Sequence, residues 1–189
     1  MAKGKSNFLY YIFVILSILV AGVGIASIAL PAFEATYTIP LIKKDLVASS
    51  NLSSFIFGTG ELGYSFNGGE PTNTTLTGGL SYLALAGFIG LALGLLLLII
   101  LLFKKSKGLA LLAALLLIAG GVCVFFFKEM GTNITVQAGE YIKFEDAAFT
   151  DFWKVFGADN IKYGIGTIVF GAAGCLSGVT TLIAAIVKK

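Results

Sequence analysis

Five carboxylates between positions 140 and 159 are the residues most capable of chemistry: Glu140, Glu145, Asp146, Asp151 and Asp159. Two carboxylates facing each other across a cleft can work as acid and base on a glycosidic bond. Six or more oxygens arranged in a loop can hold calcium. The spacing here follows no calcium-loop pattern, and nothing around it specifies a cleft, so these side chains read as a solvated, charged rim. The chain contains no His, and every one of its thirteen basic residues is Lys. It therefore lacks the usual proton shuttle at neutral pH and the bidentate cation that clamps phosphate or carboxylate. Cys123 and Cys175 stand inside apolar runs and read as inert packing residues, because a metal site needs more than two ligands. These residues imply a non-enzymatic protein with no cofactor and no metal.

The second chemically informative stretch is DAAFTDFWKVFGADN. At about 100° per residue, Phe149, Phe152, Trp153 and Phe156 share an arc of roughly 100° on a helix. Asp151 and Lys154 fall opposite, and Gly157 is placed to end the helix. Three uses of this face stay open: packing on the segment 31–78, lying at a lipid interface, or binding a partner. The sequons at Asn51, Asn73 and Asn133 would accept glycans in a eukaryote. The absence of Arg suggests AT-rich coding and a bacterial source.

The elements that must carry these segments are membrane spans. Hydrophobic residues make up 57% of the chain and charged residues 12%, about half the charge of a soluble domain. Four apolar runs, 8–30, 80–103, 108–127 and 163–187, are each long enough to cross about 30 Å of hydrocarbon. Lys104, Lys105 and Lys107 interrupt the middle pair. Buried at mid-bilayer they would cost on the order of 8–10 kcal/mol, so 104–107 reads as a turn in water joining two antiparallel helices. Lys3, Lys5, Lys188 and Lys189 fall on the same side as that turn. The density of lysine places this side, with both termini, in the cytoplasm and the long segments 31–78 and 128–162 outside. A cleaved secretory signal is the rival reading of the first run, which is longer than a signal core.

Within the spans, small residues recur at close-packing spacing: Gly22 with Ala26, Gly90 with Gly94, and Gly174 with Gly178. Such pairs let helix backbones approach where lipid supplies no hydrophobic drive, either inside one bundle or between copies in a homo-oligomer. Ser17, Ser27, Ser81, Thr167, Ser177, Thr180 and Thr181 are expected to bond carbonyls of their own helices; the other use would be to line a passive pore. Between the spans, Tyr37–Ile39, Ser53–Phe57 and Tyr64–Phe66 favour strands. Asn133–Val136 and Glu140–Phe144 flank a Gln-Ala-Gly turn as a hairpin.

The expected fold is thus an all-α bundle of four transmembrane helices with a small extracellular β-containing (α+β) domain built from the two outer loops. The order of short inner ends, long first outer loop, short inner turn and shorter second outer loop resembles that of claudin-like tetraspan proteins in topology alone. The Trp residues and Cys pair of their first outer loop are missing from 31–78, as is the Cys-rich second loop of tetraspanins from 128–162. No residue role is carried over. The expected function is a tetraspan protein of the plasma membrane, embedded in the lipid bilayer of a bacterial cell. Its outer domain would contact a partner protein or the cell envelope, and nucleic acid is not an expected partner. The alternative is a pore or transporter subunit.

Overall fold

A computed structural model of the chain describes residues 2–39, 44–66, 69–70, 72–77, 80–126, 134–138, 142–147 and 161–187. They belong to two compact units. A bundle unit comprises Met1–Ala26, Ala86–Val124 and Val169–Lys189; a sheet unit comprises Ser27–Leu85 and Phe125–Ile168.

Four long helices are α1 (Ala2–Ala26), α3 (Tyr82–Phe103), α4 (Lys107–Cys123) and α5 (Ile165–Val187). A short helix, α2 (Leu52–Phe57), lies between the first two in sequence. With short 3₁₀ extensions after α1 and α4, the candidate spans are Phe8–Ala29, Tyr82–Phe103, Lys107–Phe126 and Ile165–Val187. At 1.5 Å per residue each is long enough to cross a bilayer, and each is apolar enough to do so. The architecture fits a membrane protein. Between α3 and α4 the chain leaves helical form at Lys104–Ser106, and Ser106 caps α4 by accepting from the Leu109 N–H. Lys107 thus opens the helix instead of closing the turn.

The bundle is held by a stripe of small and apolar residues at alternating spacings of three and four. Along α1 it runs through Tyr10, Val14, Ser17, Ala21 and Gly24, and along α3 through Gly87, Leu91, Gly94, Leu98 and Leu101. This spacing keeps one narrow seam turned toward neighbouring helices. A Cβ on Gly87 would lie 2.8 Å from the Gly120 carbonyl oxygen, and one on Gly121 would lie 2.7 Å from that of Gly171. On Gly24 it would lie 3.0 Å from both Ala173 and Leu91. So α3 packs on α4, α4 on α5, and α1 on both α5 and α3. Other large side chains lie off this seam; Phe8 is 69% and Phe103 86% exposed.

The sheet unit joins seven described strands in the order β6-β5-β4-β3-β2-β1-β7. They are β1 (Pro31–Ile39), β2 (Lys44–Asn51), β3 (Thr59–Phe66), β4 (Thr72–Thr77), β5 (Ile134–Ala138), β6 (Ile142–Ala147) and β7 (Ile161–Tyr163). Each of these neighbouring strands pairs antiparallel. Strands from two distant stretches of sequence therefore make one sheet. They meet where β4 pairs with β5 and where β1 pairs with β7. Tyr163, expected at the start of the last span, is the final residue of β7; the helix begins at Ile165.

Ser53–Phe57, expected to be extended, is helical. Leu52, Phe55 and Ile56 stand at i, i+3 and i+4, and all three are buried. That helical period, with Gly58 at φ 75° as a left-handed stop donating to the Ser54 carbonyl, overrides the β preference of Phe and Ile. The helix covers the apolar face of the sheet. Phe55 meets Phe33 edge-on at 5.7 Å between ring centroids. Ser54 lies where a side chain on Gly60 of β3 would stand, so only glycine admits the helix there.

Candidate interaction surface

Strand alternation sorts the sheet unit into two faces. Phe33, Ala35, Ala48, Ser50 and Leu62 are buried and share the face covered by α2. The other parity carries Glu34, Thr36 and Thr38 on β1, Asp45 and Ser49 on β2, Glu61 and Ser65 on β3, and Asn73 and Thr75 on β4. Of these, only Ser49 and Ser65 are less than exposed. The register aligns Lys162, Glu34, Ser49, Gly63 and Asn73 in one row across five strands. Two short bonds order the side chains: Thr38 Oγ1 donates to Asp45 Oδ1 at 2.7 Å, and Asn73 Nδ2 donates to Glu61 Oε2 at 2.9 Å.

This face is hydroxyl-rich and bears three carboxylates, Glu34, Asp45 and Glu61. It offers hydrogen-bond acceptors and negative charge to a polar or basic surface. Among the described residues, no three Cys, Asp or Glu side chains gather as a metal-binding group.

At the junction of β7 and α5, the Ala32 carbonyl accepts from both the Gly164 N–H and the Thr167 hydroxyl, each at 2.8 Å. A Cβ on Gly164 would collide with the Pro31 carbonyl, so the chain passes there without side-chain room. Tyr163 donates to the Phe125 carbonyl at 2.6 Å, with the two rings perpendicular. These contacts fix the β1 end of the polar face to the start of α5.

No protein-family model matches the chain, and no curated protein matches it. The chemistry of the surface must therefore be read from its own residues.

The aromatic set Phe149, Phe152, Trp153 and Phe156 lies outside the described residues, as do Asn133 and Glu140 of the expected hairpin. Gly139 and Tyr141 of that hairpin lie outside too; Ile134–Val136 and Ile142–Phe144 are paired in β5 and β6, while Gln137 and Ala138, expected in the turn, continue β5 opposite Lys143 and Ile142. The carboxylates Asp151 and Asp159 are likewise outside. Of the small residues singled out, Gly90 lies against the Leu116 carbonyl and Gly120, and Gly94 against Leu117. Gly174 lies against Gly121, and Gly178 against Ile118 and the Ala114 carbonyl. Gly22 and Ala26 sit off the α1 seam: a Cβ on Gly22 meets nothing within 4 Å, and Ala26 is exposed. Gly24, two residues on, makes the contact. The repeating three-and-four spacing from Tyr10 would have singled it out.

The hydroxyls divide. Ser17, Thr180 and Thr181 donate to carbonyls one turn back in their own helices, as expected. Ser177 instead donates across to the Ser17 carbonyl at 2.7 Å, and Ser17 and Thr180 oxygens lie 2.6 Å apart. Ser27 and Thr167 also reach other elements, at Gly166 and Ala32. In the bundle unit, an apolar groove of about 510 Å³ is lined by Leu111, Leu115, Ile118, Ala119, Val122 and Leu182. Its walls are hydrocarbon and suit a lipid chain more than a reacting group.

Proposed function

We propose that this chain is a non-enzymatic tetraspan protein of the plasma membrane, whose sheet unit stands outside the cell and contacts a partner protein or the envelope. The observation that carries the reading is the two-faced sheet. Its apolar face is covered by the chain's own α2, while its polar face is exposed and acidic. An exposed polar surface of this kind suits recognition. The distribution of charge supports the orientation. All ten Asp and Glu residues fall within the sheet unit, and the segments of the bundle unit hold seven lysines with no Asp or Glu. Lysine-rich short segments mark the cytoplasmic side, probed by the positive-inside rule. A pore reading is weakened by the seam hydroxyls, which bond to one another and to carbonyls instead of facing a channel.

Impermeant thiol reagents on intact cells test the orientation. Cysteines introduced at Asn73 and Asp159 are expected to react, and Ser106→Cys is not; the reverse pattern would invert the topology. A photo-crosslinker at Thr36 or Thr75 then tests recognition, with adducts to an envelope polymer or surface protein expected. Robust solute or ion flux through purified protein in proteoliposomes would overturn the reading in favour of a transporter. The aromatic set remains a second contact of the same proposal. Trp153→Ala that abolishes co-purification of the partner while leaving protease resistance intact would assign the contact to Phe149, Phe152, Trp153 and Phe156.

A further inference from the structure

Among the described residues of the sheet unit, the large apolar side chains that are exposed keep away from the polar face. All but one stand within a helical turn of the end of a candidate span; Tyr82 opens the second span, Phe126 closes the third and Ile165 opens the fourth. The exception is Phe57, the last residue of α2, which is 57% exposed although every span is far from it in sequence. Backbone contacts bring α2 back to the span ends. At its start, the Leu52 N–H donates to the carbonyl of Leu30, just past the first span, at 3.0 Å. At its close, the Phe55 carbonyl accepts at 2.8 Å from the N–H of Ser81, just before the second span. A Cβ on Gly58 would lie 3.1 Å from the Leu80 Cβ. Both ends of this short helix are therefore stitched to chain that leads into or out of a span.

Leu52, Phe55 and Ile56 of α2 are buried, so Phe57 is the large side chain that the helix leaves outside the core. Burying an aromatic ring is favourable wherever an apolar phase lies within reach. The ends of membrane spans offer such a phase, and aromatic residues gather there because a ring suits the boundary between headgroups and acyl chains. A protein partner fits Phe57 less well. The polar face shows no large apolar side chain, among the described residues, that could widen Phe57 into a recognition patch. The stitch between Phe55 and Ser81 instead places α2 beside the start of the second span, where Tyr82 is 60% exposed. We propose that α2 is an interfacial anchor, in which Phe57 enters the lipid at the boundary between headgroups and acyl chains and ties the sheet unit to the bilayer surface. The inference rests on the membrane reading of the four helices. It is independent of which side the sheet unit occupies and of what its polar face contacts.

The test uses the full chain in phosphatidylcholine liposomes, in a Trp153→Phe background because Trp153 is the only tryptophan. Phe57→Trp, Tyr82→Trp and Thr36→Trp each introduce a reporter, and quenching is read with lipids brominated near the headgroup or near the chain end. A ring about 5–10 Å inside the headgroup boundary meets the shallow bromines first. Phe57→Trp is therefore expected to lose more emission to shallow than to deep bromines, to an extent matching Tyr82→Trp. Its emission should lie to the blue of that from Thr36→Trp, which stands on the exposed polar face and should escape quenching. If the Trp153→Phe background fails to fold, the same quenching is read as the increment over native protein with Trp153 retained. Quenching at Tyr82→Trp without quenching at Phe57→Trp would overturn the anchor and leave the membrane reading intact. In that case, a disulfide joining two copies through Phe57→Cys would assign the ring to a contact between copies. Equal quenching at Thr36→Trp would also overturn the anchor, since lipid contact would not belong to α2. Absence of quenching at Tyr82→Trp would sink the membrane reading itself, and the anchor with it.

Discussion

The bundle unit and the sheet unit are built from one chain by opposite means. In the bundle, cohesion comes from what is missing: glycines at 87, 90, 94, 121, 174 and 178 remove side chains so that helix backbones approach. In the sheet, it comes from what is added: Phe33, Phe55, Leu52 and Ile56 fill the space between the strands and α2. Charge divides the same way along the chain: the segments of the bundle unit carry seven lysines and no Asp or Glu, and those of the sheet unit six lysines and ten Asp or Glu residues. Solvent explains the contrast. In lipid, burying another apolar group gains little, so close contact and dispersion decide packing. In water, burying an aromatic ring is itself the driving force.

The largest effect should come from removing the sheet's buried aromatic. Phe55→Ala deletes the ring that meets Phe33, and a loss of about 3–5 kcal/mol is expected. Limited proteolysis of the sheet segments should reveal it as rapid cleavage. A mild effect would mean that the ladder alone carries the unit and that the contrast has been drawn too sharply.

In the bundle, the informative change adds volume. A Cβ at Gly174 would lie 2.7 Å from the Gly121 Cα and 2.8 Å from the Leu117 carbonyl oxygen, where only backbone could move. Gly174→Leu is expected to lower stability by roughly 3 kcal/mol, read as a drop in unfolding temperature in detergent. Gly22→Leu serves as its counterpart. With open space around Gly22, a change near zero or slightly favourable is expected, since leucine is the better helix former. Equal damage at both sites would show that glycine content, not close approach, governs this unit.

The smallest effect belongs to the polar seam. Ser177→Ala removes the hydroxyl bonded to the Ser17 carbonyl, and interhelical bonds of this kind contribute about 0.6–2 kcal/mol. A double-mutant cycle with Ser17→Ala would measure the coupling. A value well above that range would make the hydroxyl seam, and not the glycines, the principal clasp between α1 and α5.

Much of this was legible from residue order. Apolar runs of 20 or more residues and the lysines at 104, 105 and 107 dictate four candidate spans and a turn between the middle two. The reason is local: the cost of a lysine in hydrocarbon is set by that residue alone, whatever its neighbours do. The pairing of β5 with β6 was legible too, since hairpin strands are adjacent in sequence. Non-local arrangement was not. A window around Ser53–Phe57 contains good strand residues, yet Leu52, Phe55 and Ile56 meet a sheet face that exists only once β1, β2 and β3 have paired. Gly22 and Gly24 are equal as letters; the direction in which α1 turns its seam distinguishes them. The joining of β4 to β5 and of β1 to β7 links segments far apart in the chain, and no local preference encodes such a contact. Sequence by itself therefore determined which segments are apolar enough for a membrane and where charge accumulates, because these depend on each residue's own transfer free energy. Tertiary structure alone decided that the two intervening stretches form one sheet, and which of its faces stays exposed, because strand order and helix rotation emerge from packing between distant residues.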